Sequence, residues 1–206
     1  AILKESGIPV IEDNPYGELR FRGEGGKTFA EMLGEQVCEM GTFSKIVAPG
    51  MRIGWVCVRN KALREKLLSY KATADLHTNI FSQLVLAQYL ADNDIDAHIE
   101  KTKVLYKHKA ELMMDCMRKY LPEGVEFTPT EGGMFLWVEL PEGINATELL
   151  PTATKMGVAY IPGTHFYTEP GTHHNTMRLN FSNATLDKIE KGMNILKDLF
   201  IAQGLR

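Results

Sequence analysis

The sequence has no excess of charge of either sign. Its 206 residues carry 23 basic and 26 acidic side chains, for a formal net charge of -3. That balance leaves no electrostatic footprint for nucleic acid or an anionic membrane, so this segment is expected to bind neither. No apolar run approaches the roughly 18 residues needed to cross a bilayer. The start, AILKESGIPV, lacks the charged-then-apolar layout of a signal peptide. Cysteine is scarce. Cys38, Cys57 and Cys116 are odd in number, widely spaced and set in apolar surroundings. This argues against disulfides or a metal-ligand set and for reduced residues in a cytoplasmic protein. The histidines give no ligand spacing: His173 and His174 are adjacent and splay apart, while His98 and His108 lack acidic partners at ligand distance. Gly23–Gly26 does not complete G-x-G-x-x-G, because Thr28 stands where the last glycine should be. Asp92–Asp96 faintly resembles a calcium loop, yet Ala97 and Lys103 occupy two of its key positions. Those acids read better as the cap of a helix.

What the chain has is an ordinary globular composition, 44% hydrophobic, long enough for one large or two small domains. AILKESG reads as the end of a helix closing at Gly7, so the chain is expected to begin inside a βα unit and to be the rear portion of a longer protein. Ile8–Asp13 is expected to be a buried parallel strand that leaves Asp13 at the carboxyl edge of the sheet, where open α/β sheets place ligands. Asn14–Gly17 reads as a turn and Glu18–Phe21 as a short extended piece. Lys61–Ala74 is expected to be a helix with Leu63, Leu67, Leu68 and Tyr70 facing inward, and Ile80–Leu90 a mostly buried one. A long amphipathic helix at about 95–120 should join two domains, 1–97 and 98–206. Beyond it, GVEFTP, GGMFLWVEL, VAYIPG and TMRLNFS read as strands, Ala146–Met156 and Leu186–Gln203 as helices. The fold class is α/β, and the second part is a small α/β sandwich.

Chemistry concentrates in Val37–Val56, VCEMGTFSKIVAPGMRIGWV. Two strand-like runs flank a hydroxyl-rich turn that holds Lys45 between Thr42, Ser44 and a Pro-Gly break, with Arg52 just beyond. Two cations and two hydroxyls so grouped call for an anion, and a phosphate fits best: Arg52 can fork onto it while the hydroxyls donate. Lys45 would then be free for covalent chemistry. The residues alone leave it open between that role and a solvated surface lysine. A Ser44–Lys45 dyad is disfavoured, since neighbours in an extended segment point to opposite sides. Asp13 and Tyr16 could serve a site or cap a loop. Arg178 lies among Met177, Leu179 and Phe181, and the alternation does not settle which face it takes.

Together, EDNPYGELRF, GTFSKIVAPGMRIGW and PGTHFY…MRLNFS resemble the fold-type I, pyridoxal-phosphate-dependent aminotransferases of the class I/II group. The likeness is to the branch holding 2-aminoadipate and kynurenine aminotransferases and the aminotransferase-like domains of some bacterial transcription regulators. It implies the rear part of a large domain with a mixed, mostly parallel sheet, followed by a small C-terminal domain. It implies that Lys45 forms the aldimine with pyridoxal 5'-phosphate and moves a proton between substrate and cofactor. Asp13 would hold the pyridine nitrogen, Tyr16 the ring oxygen, and Arg52 and Thr42 with Ser44 the phosphate. Arg178 would clamp the α-carboxylate of an amino acid or 2-oxo acid. The full-length enzyme is expected to be a cytoplasmic homodimer. Because the family's front half has no counterpart here, the isolated 206 residues are expected to be inactive. The alternative is the effector-sensing domain of a transcription regulator.

Overall fold

The computed structural model describes residues 1–169 and 171–205. They form two compact units, Ala1–Lys101 and Thr102–Arg206.

In the first unit, helix α1 (Ile2–Ser6) stops at Gly7, whose positive φ of 65° suits a residue without a side chain. Strand β1 (Val10–Asp13) then runs parallel to β2 (Val37–Thr42), pairing Val10 with Val37 through Asp13 with Met40. Strand β3 (Gly54–Val58) returns antiparallel beside β2, so the sheet order is β1-β2-β3. The crossover from β1 to β2 contains the short helix α2 (Phe29–Leu33). Thr28 caps it by accepting from the Glu31 amide at 3.1 Å. Glu12 of β1 also reaches over, its two carboxylate oxygens accepting the Phe29 and Ala30 amides at 3.0 Å each. A carboxylate there meets two of the donors every helix start leaves unpaired and opposes the helix dipole.

That contact explains why β1 alternates instead of being buried throughout. Glu12 turns toward α2 and is half-buried, whereas Ile11 stays 70% exposed on the other face. The expected extended piece at Glu18–Phe21 is instead a 3-10 turn, Gly17–Leu19, with the Leu19 side chain fully buried. Helix α3 (Lys61–Asp75) is capped by Asn60 and α4 (Ile80–Asp92) by Asn79, each side-chain oxygen accepting an amide three residues on at 2.9 Å. Their apolar faces do not turn inward as expected. Leu63 is half-buried, but Leu67, Leu68 and Tyr70 are exposed, and in α4 the buried residue is Leu86 while Phe81 is 75% exposed. Helical periodicity states which face is apolar, not that the same chain covers it.

Helix α5 (Ile95–Tyr120) starts on Asp94, which accepts the Ala97 amide at 3.0 Å. The second unit continues with β4 (Glu126–Thr128), β5 (Phe135–Glu139), α6 (Ala146–Met156), β6 (Ile161–Pro162), β7 (Thr176–Asn180) and α7 (Leu186–Ala202). Its sheet has the order β4-β5-β7-β6 and every pairing is antiparallel. Register sorts the side chains. Leu136 lies opposite Leu179 and Val138 opposite Met177, and all four are buried. They join Met113 and Met117 of α5, Leu149 and Ala153 of α6, and Ile189, Leu196 and Phe200 of α7 in one apolar core. Burial of this kind contributes roughly 1.5–3 kcal/mol per large side chain before entropy is counted. The strand expected over Val158–Gly163 shrinks to two residues, because Pro162 has no amide with which to extend the ladder.

Candidate active site

The first cluster of polar groups sits at the carboxyl ends of β1 and β2. Asp13 ends β1 beside Met40, and the Asn14 amide donates to the Met40 carbonyl at 3.1 Å, so both strands close at one level. Past Thr42 the chain enters a tight turn, Phe43–Val47, in which the Val47 amide donates to the Phe43 carbonyl at 2.8 Å. Thr42 braces it: its hydroxyl accepts the Ser44 amide at 3.0 Å and donates to the Ile53 carbonyl at 3.4 Å. The entry to the turn tolerates no side chain at Gly41, where an added Cβ would lie 2.3 Å from the Trp55 ring.

Lys45 projects from this turn half-buried, with its Nζ 5.8 Å from the centroid of the Tyr16 ring. At that distance the ring's negative face attracts the ammonium, though weakly. Arg52 follows the 3-10 turn Pro49–Met51 in left-handed backbone, φ 57°. An arginine held there costs roughly 1–2 kcal/mol relative to ordinary helical or extended backbone. Such strain is tolerated where the surroundings fix it for a purpose. Its Nη1 donates to the Ser44 hydroxyl at 3.4 Å and to the Pro49 carbonyl at 3.2 Å. Among the described residues no carboxylate pairs with Lys45 or Arg52, and no cation pairs with Asp13. The set therefore offers one amine, one acid, one guanidinium and the Ser44 hydroxyl, none of them neutralised by an ion pair. That donor set fits an anionic group at Arg52 and Ser44 with a basic nitrogen near Asp13.

The second cluster belongs to the other unit. Arg178 pairs across the ladder with Trp137 and lies on the sheet face opposite Met177 and Leu179. The side chains packed against Arg178 on that face are aromatic. The Arg178 guanidinium carbon is 3.9 Å from the Phe135 ring centroid and 4.5 Å from that of Phe166. Trp137 meets Phe166 and Tyr167 edge-on, at 5.5 and 6.1 Å, and Tyr167 stacks on His173 at 3.8 Å. Gly163 makes the approach possible, since a Cβ there would sit 2.0 Å from the Thr176 hydroxyl and 2.8 Å from the Trp137 ring. The Arg178 Nε is buried without a hydrogen-bond partner. Sequence reasoning found Arg178 but not Phe135 or Trp137. The period-two alternation of FLWVE puts both on one face, and only the β5–β7 register brings that face to Arg178.

Residues 1–196 match the family model for aminotransferase class I and II. The chain belongs to that family. It is 43% identical over 190 residues to aromatic-amino-acid aminotransferase 1 of Thermococcus litoralis, covering 92% of this chain and 45% of the relative. A kynurenine aminotransferase from Pyrococcus horikoshii, solved in complex with PMP, superposes with a TM-score of 0.90 at 40% identity, over 98% of this chain and 50% of that one. An uncharacterized HTH-type transcriptional regulator of Escherichia coli is 33% identical over 171 residues, covering 82% of this chain and 36% of the regulator. The chain thus spans about half the length of the aminotransferases it matches. No helix among the described residues is long and apolar enough to cross a membrane.

Proposed function

We propose that the whole protein is an aminotransferase that binds pyridoxal 5'-phosphate at Lys45 and moves an amino group from an α-amino acid to a 2-oxo acid. The observation that carries this reading is the grouping at one sheet edge of a half-buried amine beside Tyr16, an unpaired acid at Asp13 and the Arg52–Ser44 pair. When bound, the cofactor supplies a carbonyl for the amine and a ring that withdraws electrons. Lys45 Nζ is the base that takes the proton from the substrate Cα. Asp13 keeps a proton on the ring nitrogen by placing a carboxylate next to it. Tyr16 donates to the ring oxygen. Arg52 and Ser44 donate to the phosphate, and Thr42 shapes their turn and can turn its long 3.4 Å bond toward the anion instead. Arg178 grips the α-carboxylate of the substrate.

In this reading Ala1–Lys101 is the closing part of the cofactor-binding domain and Thr102–Arg206 the small domain, divided within the long helix. The protein acts as a homodimer in the cytoplasm, a reading that the free cysteines Cys38, Cys57 and Cys116 support. The isolated chain is inactive, because about half of a relative's length lies beyond it. The test is spectroscopic. The whole protein, loaded with pyridoxal 5'-phosphate, should change its visible absorbance when amino acids are added one at a time, and Lys45→Ala should abolish both the change and turnover. Unaltered spectra and turnover in that variant would end the assignment. The likeness to a transcription regulator supports a second reading, an effector-sensing domain. It predicts an absorbance response to an amino acid without release of an oxo acid.

A further inference from the structure

We infer that Phe166 and Phe135 are positioning residues for Arg178, holding its guanidinium as an end-on clamp. This rests on the reading of Arg178 as the α-carboxylate grip. A guanidinium can take a carboxylate in two ways: side-on through Nε and one Nη, or end-on through both Nη atoms. On the Arg178 side chain the choice is already made. Nε is buried and has no partner, while neither Nη is closed off in the same way. The two rings at 3.9 and 4.5 Å present their electron-rich faces to the cation. They compensate the Nε–H that has lost water, and they hold the guanidinium plane. A clamp held in this way loses little freedom when the carboxylate arrives.

The two rings are placed differently. Phe135 is fixed on β5, directly beside the ladder partner of Arg178. Phe166 ends a short 3-10 turn, Gly163–Phe166, and is 46% exposed. It is therefore the ring that can be changed without disturbing the core.

The experiment uses the whole protein. Arginine Nε–Hε signals are recorded by NMR, Arg178 being assigned by the signal lost in Arg178→Lys, and propionate is titrated to saturation. Ring current should move the Arg178 Hε upfield of the other arginines, and propionate should shift its Nη signals while leaving Hε almost unmoved. Phe166→Leu should bring Hε back toward the others and weaken propionate about fivefold, as the loss of one cation–π contact implies, while Phe166→Tyr should restore both. A strong propionate shift at Hε would mean a side-on grip and overturn the inference. So would a Phe166→Leu variant, or a matching Phe135→Leu variant, that leaves both Hε and affinity unchanged. An upfield Hε with no propionate response would leave the ring packing intact and refute the clamp reading instead.

Discussion

The two units contrast in how they use apolar surface. Thr102–Arg206 closes a core: Phe181, Phe200, Leu196, Leu136 and Met177 are each no more than 1% exposed. Ala1–Lys101 does not. It fully buries Leu19 and little else of comparable size, and leaves Ile11, Leu68, Leu84 and Phe81 between 61 and 75% exposed. Yet the Lys45 cluster, to which we assign the chemistry, sits in the first, thinly covered unit. On the proposed function, stability and reactivity are carried by different parts of the chain. One part holds itself together, and the other holds a site whose apolar surroundings this chain does not supply.

Breaking that contrast at its chemical end should give the largest effect. Lys45→Ala in the whole protein should lower kcat by about 10²–10⁴-fold or more, since it removes both the amine and the base. Far-UV circular dichroism should show unchanged folding. At the structural end, Phe200→Ala should destabilise the chain by about 3–5 kcal/mol in urea melts, whereas Leu84→Ala, 64% exposed, should stay within about 0.5 kcal/mol. An equal loss from both would erase the distinction between the units. Arg178→Lys should raise KM for amino acids about 10–100-fold, because it exchanges a fork for a point charge at a charge-assisted bond.

The smallest effect concerns Tyr160. Its hydroxyl donates to the Ala146 carbonyl at 2.6 Å, and burial pushes its pKa up to about 12. In the unfolded chain the same group titrates near 10. Between those values the folded state binds more protons, so stability falls as pH rises from 10 toward 12 and is unaffected below. Tyr160→Phe should cost about 1 kcal/mol at neutral pH and flatten that alkaline limb in melts of the second unit.

Much of this was legible in the residues. Helix α6 reads off as Ala146–Met156 because Asn145 caps it, accepting the Thr147 and Glu148 amides, and Gly157 ends it in left-handed backbone. The Lys45–Arg52 grouping was legible for a similar reason: a Pro-Gly break fixes the local turn wherever the rest of the chain goes. Phe135 and Trp137 beside Arg178 were not, because their meeting depends on which residues of β5 and β7 face each other across the ladder. The exposed leucines of α3 were misjudged because an amphipathic pattern does not say what covers it. The carboxylate of Glu12 on α2 was missed as well, since nothing local links β1 to a helix start 17 residues away.

The central claim is that Lys45 is the amine that carries the cofactor. Borohydride reduction of the loaded whole protein, followed by peptide mass mapping, tests it most directly. The account predicts a single phosphopyridoxyl label on the peptide that contains Lys45. A label confined to any other lysine, or a loaded protein that takes none, would contradict it.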